Sequence, residues 1–295
     1  MTDHYDALEI RDPAERERDL LAALPRQITQ AQTAAPALSK ILDGIQAADV
    51  TTREALARLP VTRKSELLEL QKQGRENDPF GGFSAIARGT RMPRVFASPG
   101  TIYEPEGEAR DYWRTARALH AAGFRSGELI HNSFSYHMTP AGSIMESGAR
   151  AVGCTVFAGG TGQTEQQLEA MVDLKPEGYA GTPSFLKILL EKAEEKGQKL
   201  PWLTKALVSG EAFPPSLHDW IAARGVKGTQ CYATADLGLI AYETSAREGL
   251  VLDEGVLVEI VRPGTGDPVP DGEVGEIVVT TFNPDYPLVR FGTGD

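Results

Sequence analysis

The sequence has few of the features that mark several large classes of protein. It contains only two cysteines, Cys154 and Cys231, with no Cys-X-X-Cys pair and no cysteine–histidine spacing typical of a metal site, so we expect both to be buried core thiols. No apolar run approaches the roughly 18 residues that span a membrane. The first residues lack the basic flank and apolar stretch of a signal peptide. Together these absences predict a cytoplasmic protein that does not bind membranes.

Positive charge is also scarce. The 295 residues carry 30 Lys and Arg against 41 Asp and Glu, a net charge of −11, and no basic run is present. Nucleic-acid binding needs clustered basic side chains that displace counterions, so we expect no nucleic-acid partner. An apolar fraction of 41% with 24% charged residues is that of a globular protein with a substantial core. An anionic ligand would need local support from a metal ion or a helix N-terminus.

Helical patterning dominates the first part of the chain. Residues 12–75 read as helices, with Thr51 and Glu54 in a capping-box spacing at the start of one of them. A proline and two glycines in Asn77–Gly82 end this pattern, because they do not sustain a helix. We therefore predict an N-terminal helical segment over residues 1–80.

The central part repeats a strand, a loop and a helix. Thr164 and Gln167 fit a second capping box, Gly153 fits a helix C-terminus, and Thr182–Pro183 fits a helix start. The predicted strands are Leu129–His131, Cys154–Phe157, Tyr179–Ala180 and Ala206–Val208. This alternation predicts an α/β fold over residues 81–245, with a mostly parallel sheet and helices on both faces. Ligands of such sheets bind beyond the carboxyl ends of the strands.

The last part is β-rich. Val256–Val261 and Glu276–Thr281 are runs of strand-forming residues, and Pro263–Asp267 between them is rich in turn residues. We predict an antiparallel C-terminal subdomain over residues 246–295.

Two short segments carry most of the functional information. Gln230–Asp236 reads as a buried strand that runs into a loop with an aromatic ring, a hydroxyl and a carboxylate. Phe291–Asp295 is a glycine-rich turn that ends in a carboxylate. These groups suit a nucleotide: the ring could stack on a base, one carboxylate could hold magnesium, and the other could accept hydrogen bonds from ribose hydroxyls.

In this order and spacing the two segments resemble those of the adenylate-forming enzymes, and within them the phenylacetate-CoA ligase family. The resemblance covers most of the chain. Its further motifs are Leu59–Leu67, Gly148–Val156, Lys175–Pro176, Gly181–Ser184, Ser209–Glu211 and Pro270–Glu276. It implies the N-terminal domain of an adenylate-forming enzyme, with the roles given next.

The resemblance assigns the nucleotide to residues of several segments. Tyr232 would stack on adenine, Asp236 would hold magnesium, and Asp295 would bind ribose. Ala233 stands where the family has glycine, and Asp236 where it commonly has glutamate. Thr101 and Asp236 are the predicted catalytic residues. The predicted nucleotide-binding residues are Ser98, Gly100, Thr101, Ser209, Gly210, Glu211, Tyr232, Ala233, Thr234, Arg290 and Asp295.

A carboxylic-acid substrate is assigned to a second group of residues. Phe134, Tyr136 and His137 follow a strand in a stretch that resembles the family's aromatic-acid pocket, to which Ser209 and Ala233 would contribute. Aromatic walls with one polar group suit an aryl acid. A structural histidine explains His137 nearly as well.

The phosphate loop departs from the family pattern. In Ser98–Pro105, Pro99 removes one backbone donor, Tyr103 replaces a glycine, and Glu104 stands where lysine is expected. Loss of a charge-assisted hydrogen bond costs roughly 1.5–3 kcal/mol, and a carboxylate near phosphate adds repulsion. We therefore expect weak ATP binding, tightened by Glu104→Lys with Tyr103→Gly.

The implied function is activation of a phenylacetate-like aromatic acid by ATP as an acyl-adenylate, followed by transfer to coenzyme A, with Mg²⁺ as cofactor. The family has a mobile C-terminal lobe that has no counterpart before Asp295, so we expect this chain to bind substrates but to complete turnover poorly. A homodimer is also implied. Two alternatives remain open: a pseudoenzyme or ligand sensor with a degenerate phosphate loop, and adenylation for an acceptor other than CoA.

Overall fold

The computed structural model describes residues 4–295. Its helices are α1 Pro13–Ala34, α2 Pro36–Ile41, α3 Arg53–Ala57, α4 Lys64–Gly74, α5 Ala116–Ala121, α6 Ala141–Val152, α7 Thr164–Leu174, α8 Pro183–Glu195 and α9 Pro215–Ala222. Short 3₁₀ turns occupy Ala7–Ile10 and Ala47–Asp49. The strands are β1 Thr62–Arg63, β2 Arg94–Ser98, β3 Ile102–Glu106, β4 Leu129–Asn132, β5 Thr155–Ala158, β6 Gly178–Gly181, β7 Lys205–Val208, β8 Lys227–Thr234, β9 Gly238–Glu243, β10 Leu250–Leu252, β11 Val256–Val261, β12 Glu276–Thr281 and β13 Phe291–Gly292.

The chain divides into two compact units. Unit 1 comprises residues 4–5 and Ala109–Asp253, and unit 2 comprises Asp6–Glu108 and Glu254–Asp295. The segments predicted over residues 1–80, 81–245 and 246–295 stay a prediction, and the two units cut the chain at other positions. Across residues 4–295, no helix is both long enough and apolar enough to cross a membrane.

Unit 1 is built on a sheet whose described strands follow the order β10-β9-β8-β7-β6-β4-β5. The pairs from β8 to β5 are parallel, whereas β8–β9 and β9–β10 are antiparallel. Alternate residues of β7 face different cores: Leu207 packs into one apolar cluster, and Ala206 and Val208 pack into another. Because side chains alternate along a strand, the sheet is covered on both faces. The predicted α/β fold with a mostly parallel sheet is confirmed.

Unit 2 contains a sheet with the order β1-β13-β12-β11 and a separate hairpin of β2 and β3. Strands β11 and β12 pair antiparallel along their whole length, from Val256 opposite Thr281 to Val261 opposite Glu276. The predicted antiparallel pairing of these two runs is therefore confirmed. Helices α1 to α4 belong to the same unit.

Several predicted helix ends agree with the structure. Gly153 ends α6 in the left-handed conformation at φ 98°, which glycine adopts without steric cost. Thr182 caps α8, and Pro183 occupies the first turn, where its missing N–H leaves no hydrogen bond unmade.

Both predicted capping boxes are wrong. The side chain that caps α3 is Thr52, which accepts a hydrogen bond from the amide of Ala55 at 3.1 Å, so the cap lies one residue beyond Thr51. Thr164 is already the first residue of α7, and that helix has no side-chain cap. The side chain of Gln167 points to other partners, described below.

Cys154 and Cys231 are buried free thiols, as predicted. Burial raises the pKa of Cys154 to about 11 and that of Cys231 to about 12, since a thiolate is poorly solvated inside the core. Both side chains are therefore thiols at neutral pH.

Candidate nucleotide-binding site

The carboxyl ends of β7 and β8 in unit 1 are joined by a side chain. The hydroxyl of Ser209, just after β7, donates a hydrogen bond of 2.7 Å to the backbone carbonyl of Cys231 on β8. The next residue, Gly210, is exposed and has φ +84°, a conformation that favours glycine. The predicted residues Ser209 and Gly210 thus lie beside the strand that carries Tyr232, at the end of the sheet where ligands bind.

The predicted loop 232–236 is a β-hairpin. Tyr232, Ala233 and Thr234 are the last residues of β8, half-buried, and a register shift between Tyr232 and Ala233 interrupts the pairing with β9. Such a bulge twists a strand and redirects its side chains. The turn that follows contains Asp236, and the hydroxyl of Thr234 accepts a hydrogen bond of 3.2 Å from the amide of Leu237.

Asp236, in the turn of this hairpin, is the residue predicted to hold magnesium. The residue is buried, with 5% of its surface exposed. Within residues 4–295 no group of three or more His, Cys, Asp or Glu is arranged to hold a metal. Mg²⁺ keeps several waters and takes one or two carboxylates together with substrate phosphates, so a single aspartate is compatible with it.

The side chain of Glu211 contacts helix α8. One carboxylate oxygen accepts a hydrogen bond of 2.7 Å from the amide of Ser184 in the first turn of α8. A carboxylate at this position is favoured by the helix dipole and satisfies a backbone donor that the helix leaves free. The side chain of Glu211 therefore fixes the turn after β7 to α8, and the role of its backbone in nucleotide binding stays a prediction.

The predicted substrate residues differ in their environments. Phe134 is a buried member of a core cluster, and the ring lies 3.8 Å from where a Cβ on Gly210 would be. The hydroxyl of Tyr136 accepts a hydrogen bond of 2.8 Å from the side-chain amide of Asn132. His137 is exposed. The ring of Phe134 therefore packs next to the turn at Gly210, and the hydroxyl of Tyr136 is fixed by Asn132 at the end of β4.

Sequence reasoning missed a buried polar network beside this stretch. The side-chain amide of Gln167 donates to the carbonyls of Gly160 and Gly162 at 2.8 and 2.6 Å, which turns its oxygen towards Nε2 of His131 at 2.6 Å. Since an amide oxygen only accepts, His131 carries its proton on Nε2. Burial lowers the pKa of His131, so the ring is neutral. In the sequence, the glycines at positions 159, 160 and 162 are the feature that indicates a tight turn at this place.

In unit 2 the predicted phosphate loop is mostly strand. Only Pro99, Gly100 and Thr101 form the turn between β2 and β3, and Thr101 has φ 65°. The amide of Thr101 donates to the carbonyl of Ser98 at 2.9 Å. Its own carbonyl accepts a hydrogen bond of 2.5 Å from Arg75. These two backbone groups of the turn are already paired.

Helix α4 also holds the hairpin. Buried Gln71 bonds both backbone groups of Tyr103, its oxygen accepting from the amide and its nitrogen donating to the carbonyl, each at 2.8 Å. The Arg75 guanidinium lies 5.2 Å from the centre of the Tyr103 ring. Glu104 is only 2% exposed on β3. A lysine at position 104 would place its ammonium group in that buried environment, at a large desolvation cost.

The structure corrects the role predicted for Arg290. Its side chain is 1% exposed, and its five N–H groups make five hydrogen bonds within unit 2. Two go to Glu259, and the others go to the carbonyls of Ala57, Leu59 and Gly266. An arginine has five donors, so none remains for a nucleotide.

Asp295 is exposed and its backbone is ordered by β12. Its carbonyl accepts a hydrogen bond of 3.2 Å from the amide of Ile277, and its amide donates to the hydroxyl of Thr293 at 3.2 Å. Thr293 in turn donates to the carbonyl of Ile277 from its amide and its hydroxyl. These contacts hold the backbone of Asp295 beside Ile277 on β12, and ribose binding by its carboxylate stays a prediction.

Comparison with known proteins identifies the family. The model of the family described as AMP-binding enzyme matches residues 114–283. The phenylacetate-coenzyme A ligase of Thermus thermophilus is 31% identical in an alignment of 289 residues that covers 92% of this chain and 63% of the relative. That of Aromatoleum evansii is 31% identical over 85% of this chain and 59% of its own length. The chain thus spans about three fifths of these relatives.

Solved structures show the same fold. A 2-hydroxyisobutyryl-CoA ligase, solved with 2-HIB-AMP and CoA in the thioesterification state, superposes with a TM-score of 0.90 at 22% identity, over 100% of this chain and 66% of that one. A benzoate CoA ligase from Burkholderia xenovorans gives a TM-score of 0.52 at 17% identity, over 66% and 42% of the two chains. The matched family model, the relatives and the fold agree with the resemblance found in the sequence. The chain belongs to the AMP-binding enzyme family of adenylate-forming enzymes, and within it is similar to phenylacetate-coenzyme A ligases.

Proposed function

We propose that the protein activates an aromatic, phenylacetate-like carboxylic acid with ATP and transfers the acyl group to coenzyme A. A carboxylate oxygen attacks the α-phosphorus of ATP, the bond to pyrophosphate breaks, and an acyl-adenylate forms. The CoA thiol then releases its proton to solvent and its sulfur attacks the acyl carbon, and the bond from that carbon to AMP breaks, which releases AMP. Positioning and charge neutralisation supply most of the catalysis in such chemistry.

The observation that carries this proposal is the link between Ser209 and the carbonyl of Cys231 at the carboxyl ends of two parallel strands. It places Gly210, which has no side chain, beside the strand that carries Tyr232. We assign adenine to Tyr232, with backbone contacts from Ser209–Glu211 and from Ala233 and Thr234. A bound Mg²⁺ would neutralise phosphate charge, and Asp236 would hold it.

For unit 2 we propose that Asp295 accepts hydrogen bonds from ribose hydroxyls. Ser98, Gly100 and Thr101 are the proposed phosphate-binding residues. The hydroxyl groups of Ser98 and Thr101 would donate to phosphate, because the backbone amide of Thr101 is already hydrogen-bonded. For the substrate, Tyr136 and His137 supply polar groups, and Phe134 shapes the turn at Gly210. These assignments rest on the sequence match to phenylacetate-coenzyme A ligases.

The experiment that tests this function is a calorimetric titration with AMP and with magnesium-ATP, followed by pyrophosphate exchange in the presence of phenylacetate, benzoate or 2-hydroxyisobutyrate. We expect AMP to bind, magnesium-ATP to bind more weakly than AMP, and exchange to depend on an aromatic acid. Tyr232→Ala should weaken AMP binding, whereas Lys227→Ala, an exposed change at the other end of β8, should leave it unchanged. Failure of both nucleotides to bind would contradict the proposal.

One observation favours a second function, a ligand-binding protein that no longer adenylates. In the hairpin of β2 and β3, the amide of Thr101 already donates to Ser98 and the amide of Tyr103 already donates to Gln71. A triphosphate would therefore find few backbone donors there. AMP binding without pyrophosphate exchange for any acid would support this second function over the first.

A further inference from the structure

The turn that carries Asp236 is clamped by a neighbouring segment of unit 1. The carbonyls of Leu237 and Leu239 both accept hydrogen bonds from Nη2 of Arg114, at 2.7 and 3.0 Å. Leu237 directly follows Asp236 in the turn, and Leu239 is the second residue of β9. One guanidinium nitrogen thus bridges two carbonyls on the same side of the turn.

The backbone before Arg114 makes a second contact with the same residues. The amide of Leu239 donates to the carbonyl of Trp113 at 2.9 Å. A Cβ on Gly238 would lie only 2.7 Å from that carbonyl oxygen, so the approach requires glycine, which also has φ +72°. The two segments are therefore in direct backbone contact on the side of β9.

Arg114 is itself held in place. Its Nε donates to Oδ1 of Asp253 at 2.7 Å, and Asp253 is fully buried. Asp253 is fixed by its own amide, which donates to the carbonyl of Ile240 at 2.9 Å. Nε of Arg117 lies 3.8 Å from the other carboxylate oxygen. A guanidinium in this position is charged at all accessible pH values, and its planar donors are oriented before any ligand arrives.

The backbone of Arg114 is unusual as well. It has φ 65°, in the left-handed region that residues with a side chain rarely adopt. Such a conformation persists only where the surroundings enforce it, and it is enriched at sites where geometry matters. Here the enforcing contacts are those with Asp253 and with the two carbonyls after Asp236.

We propose that Arg114, oriented by Asp253, is a positioning residue that fixes the Asp236 carboxylate for the metal ion of the nucleotide. Arg114 donates only to backbone carbonyls and Asp253, and acts on the metal through the turn. This inference rests on the proposed function, because it presumes that Asp236 holds Mg²⁺. It predicts that loosening the clamp weakens the effect of magnesium and leaves the nucleoside contacts of β8 intact.

The test compares Arg114→Lys with the unaltered protein in the full chain. A lysine has one ammonium group and lacks the fork that joins Asp253 to two carbonyls. We expect the gain in ATP affinity on adding Mg²⁺ to fall about tenfold, as for loss of one charge-assisted hydrogen bond, while AMP affinity stays within about twofold. Hydrogen exchange at the amides of Leu237 and Leu239 should become faster.

Arg110→Lys is the matched control. Arg110 also donates to a backbone carbonyl, that of Arg150, at 2.7 Å, but that carbonyl is remote from the turn in sequence. This variant should leave the magnesium effect and the exchange of Leu237 and Leu239 unchanged. Asp253→Asn, which keeps an acceptor for Arg114 but removes its charge, should give a smaller loss in the same direction and serves if Arg114→Lys does not fold.

The outcomes separate this inference from the proposed function. If the unaltered protein shows no magnesium effect on ATP binding, the proposed function fails, and this inference fails with it. If Mg²⁺ raises the ATP affinity of the unaltered protein and equally that of Arg114→Lys and Asp253→Asn, only the role of Arg114 is overturned. This holds even if hydrogen exchange at Leu237 and Leu239 is faster in the variants. An equal loss of AMP and magnesium-ATP affinity would also overturn it, because that result indicates a general structural role.

Discussion

Arg290 and Glu259 form a side-on ion pair inside unit 2, with Nε to Oε2 and Nη2 to Oε1 both at 3.0 Å. Both side chains are buried. Burial raises the pKa of Glu259, whereas the adjacent Arg290 opposes that shift by stabilising the carboxylate. The remaining donors of Arg290 bond to the backbone carbonyls of Ala57, Leu59 and Gly266. The pair therefore connects the end of α3 and the segment before β1 to strand β11 and the turn that follows it.

We predict that Arg290→Ala lowers the free energy of unfolding by about 3–5 kcal/mol. Removing one partner leaves the other charge buried without compensation and three carbonyls without their donor. The measurement is urea denaturation of the variant and the unaltered protein. Arg91→Ala is the control: Arg91 is 67% exposed in its pair with Asp285, and loss of such a surface pair costs at most about 1 kcal/mol.

This prediction also tests the corrected role of Arg290. A variant that keeps the stability of the unaltered protein but loses AMP binding would contradict the structural assignment and restore the nucleotide role. A destabilised variant that still binds AMP at low temperature would agree with the contacts described here.

Thr101→Gly should raise the free energy of unfolding by about 1 kcal/mol. Thr101 is β-branched and has φ 65°, a strained conformation that glycine adopts freely. The comparison is with Thr51→Gly, an exposed position outside the positive-φ residues, where the added freedom of the unfolded chain should destabilise the protein. If the Thr101 hydroxyl contacts phosphate as proposed, the same variant binds magnesium-ATP less tightly. A loss of stability in Thr101→Gly would show that its side chain makes a compensating contact.

Protonation of Asp111 should contribute to the stability of the folded protein at acidic pH, including pH 5. Burial raises the pKa of Asp111 to about 6, against an ordinary value of 3.8. The folded state therefore binds the proton more tightly, and this contribution is fully present below pH 3.8 and is lost as the pH rises through 6. Its full size is at most about 3 kcal/mol.

The measurement is urea denaturation of Asp111→Asn and unaltered protein at pH 5 and pH 7.5. Asparagine stays neutral, so the variant should be favoured relative to the unaltered protein at pH 7.5, and this advantage should shrink at pH 5. Asp173→Asn, at an exposed site of α7, should show no such change. An advantage of Asp111→Asn that is the same at both pH values would rule out the shifted pKa.

The architecture could be predicted because its signals are local. Alternating and continuous apolar runs marked β4 to β8, β11 and β12, and turn residues marked Gly153 and Thr182–Pro183. The capping boxes failed for tertiary reasons. The side chain of Gln167 bonds to the carbonyls of Gly160 and Gly162 and to His131 instead of capping α7. For α3, a sequence pattern of hydroxyl and carboxylate residues does not distinguish Thr51 from its neighbour Thr52 as the cap.

The site was predictable in part. The residues of β8 and the turn after β7 follow from a short motif and lie side by side in the structure. Two of the partners of Arg290, Ala57 and Leu59, precede it by 233 and 231 residues, so no window of sequence could show that all of its donors are used. The same holds for Gln71, whose bonds to Tyr103 turn a predicted loop into a supported hairpin.

Asp236→Asn should abolish the magnesium-dependent gain in ATP affinity and leave AMP binding nearly unchanged. Asparagine keeps the shape of the turn, but a neutral amide is a much weaker ligand for Mg²⁺ than a carboxylate. AMP has only one phosphate and its base contacts are assigned to Tyr232, so its affinity should not depend on this charge. The measurement is calorimetry with AMP and with ATP, each with and without Mg²⁺. The exposed variant Asp271→Asn is the control and should behave as the unaltered protein. A collapse of AMP binding in Asp236→Asn would instead assign Asp236, which is 5% exposed, to the structure of the hairpin.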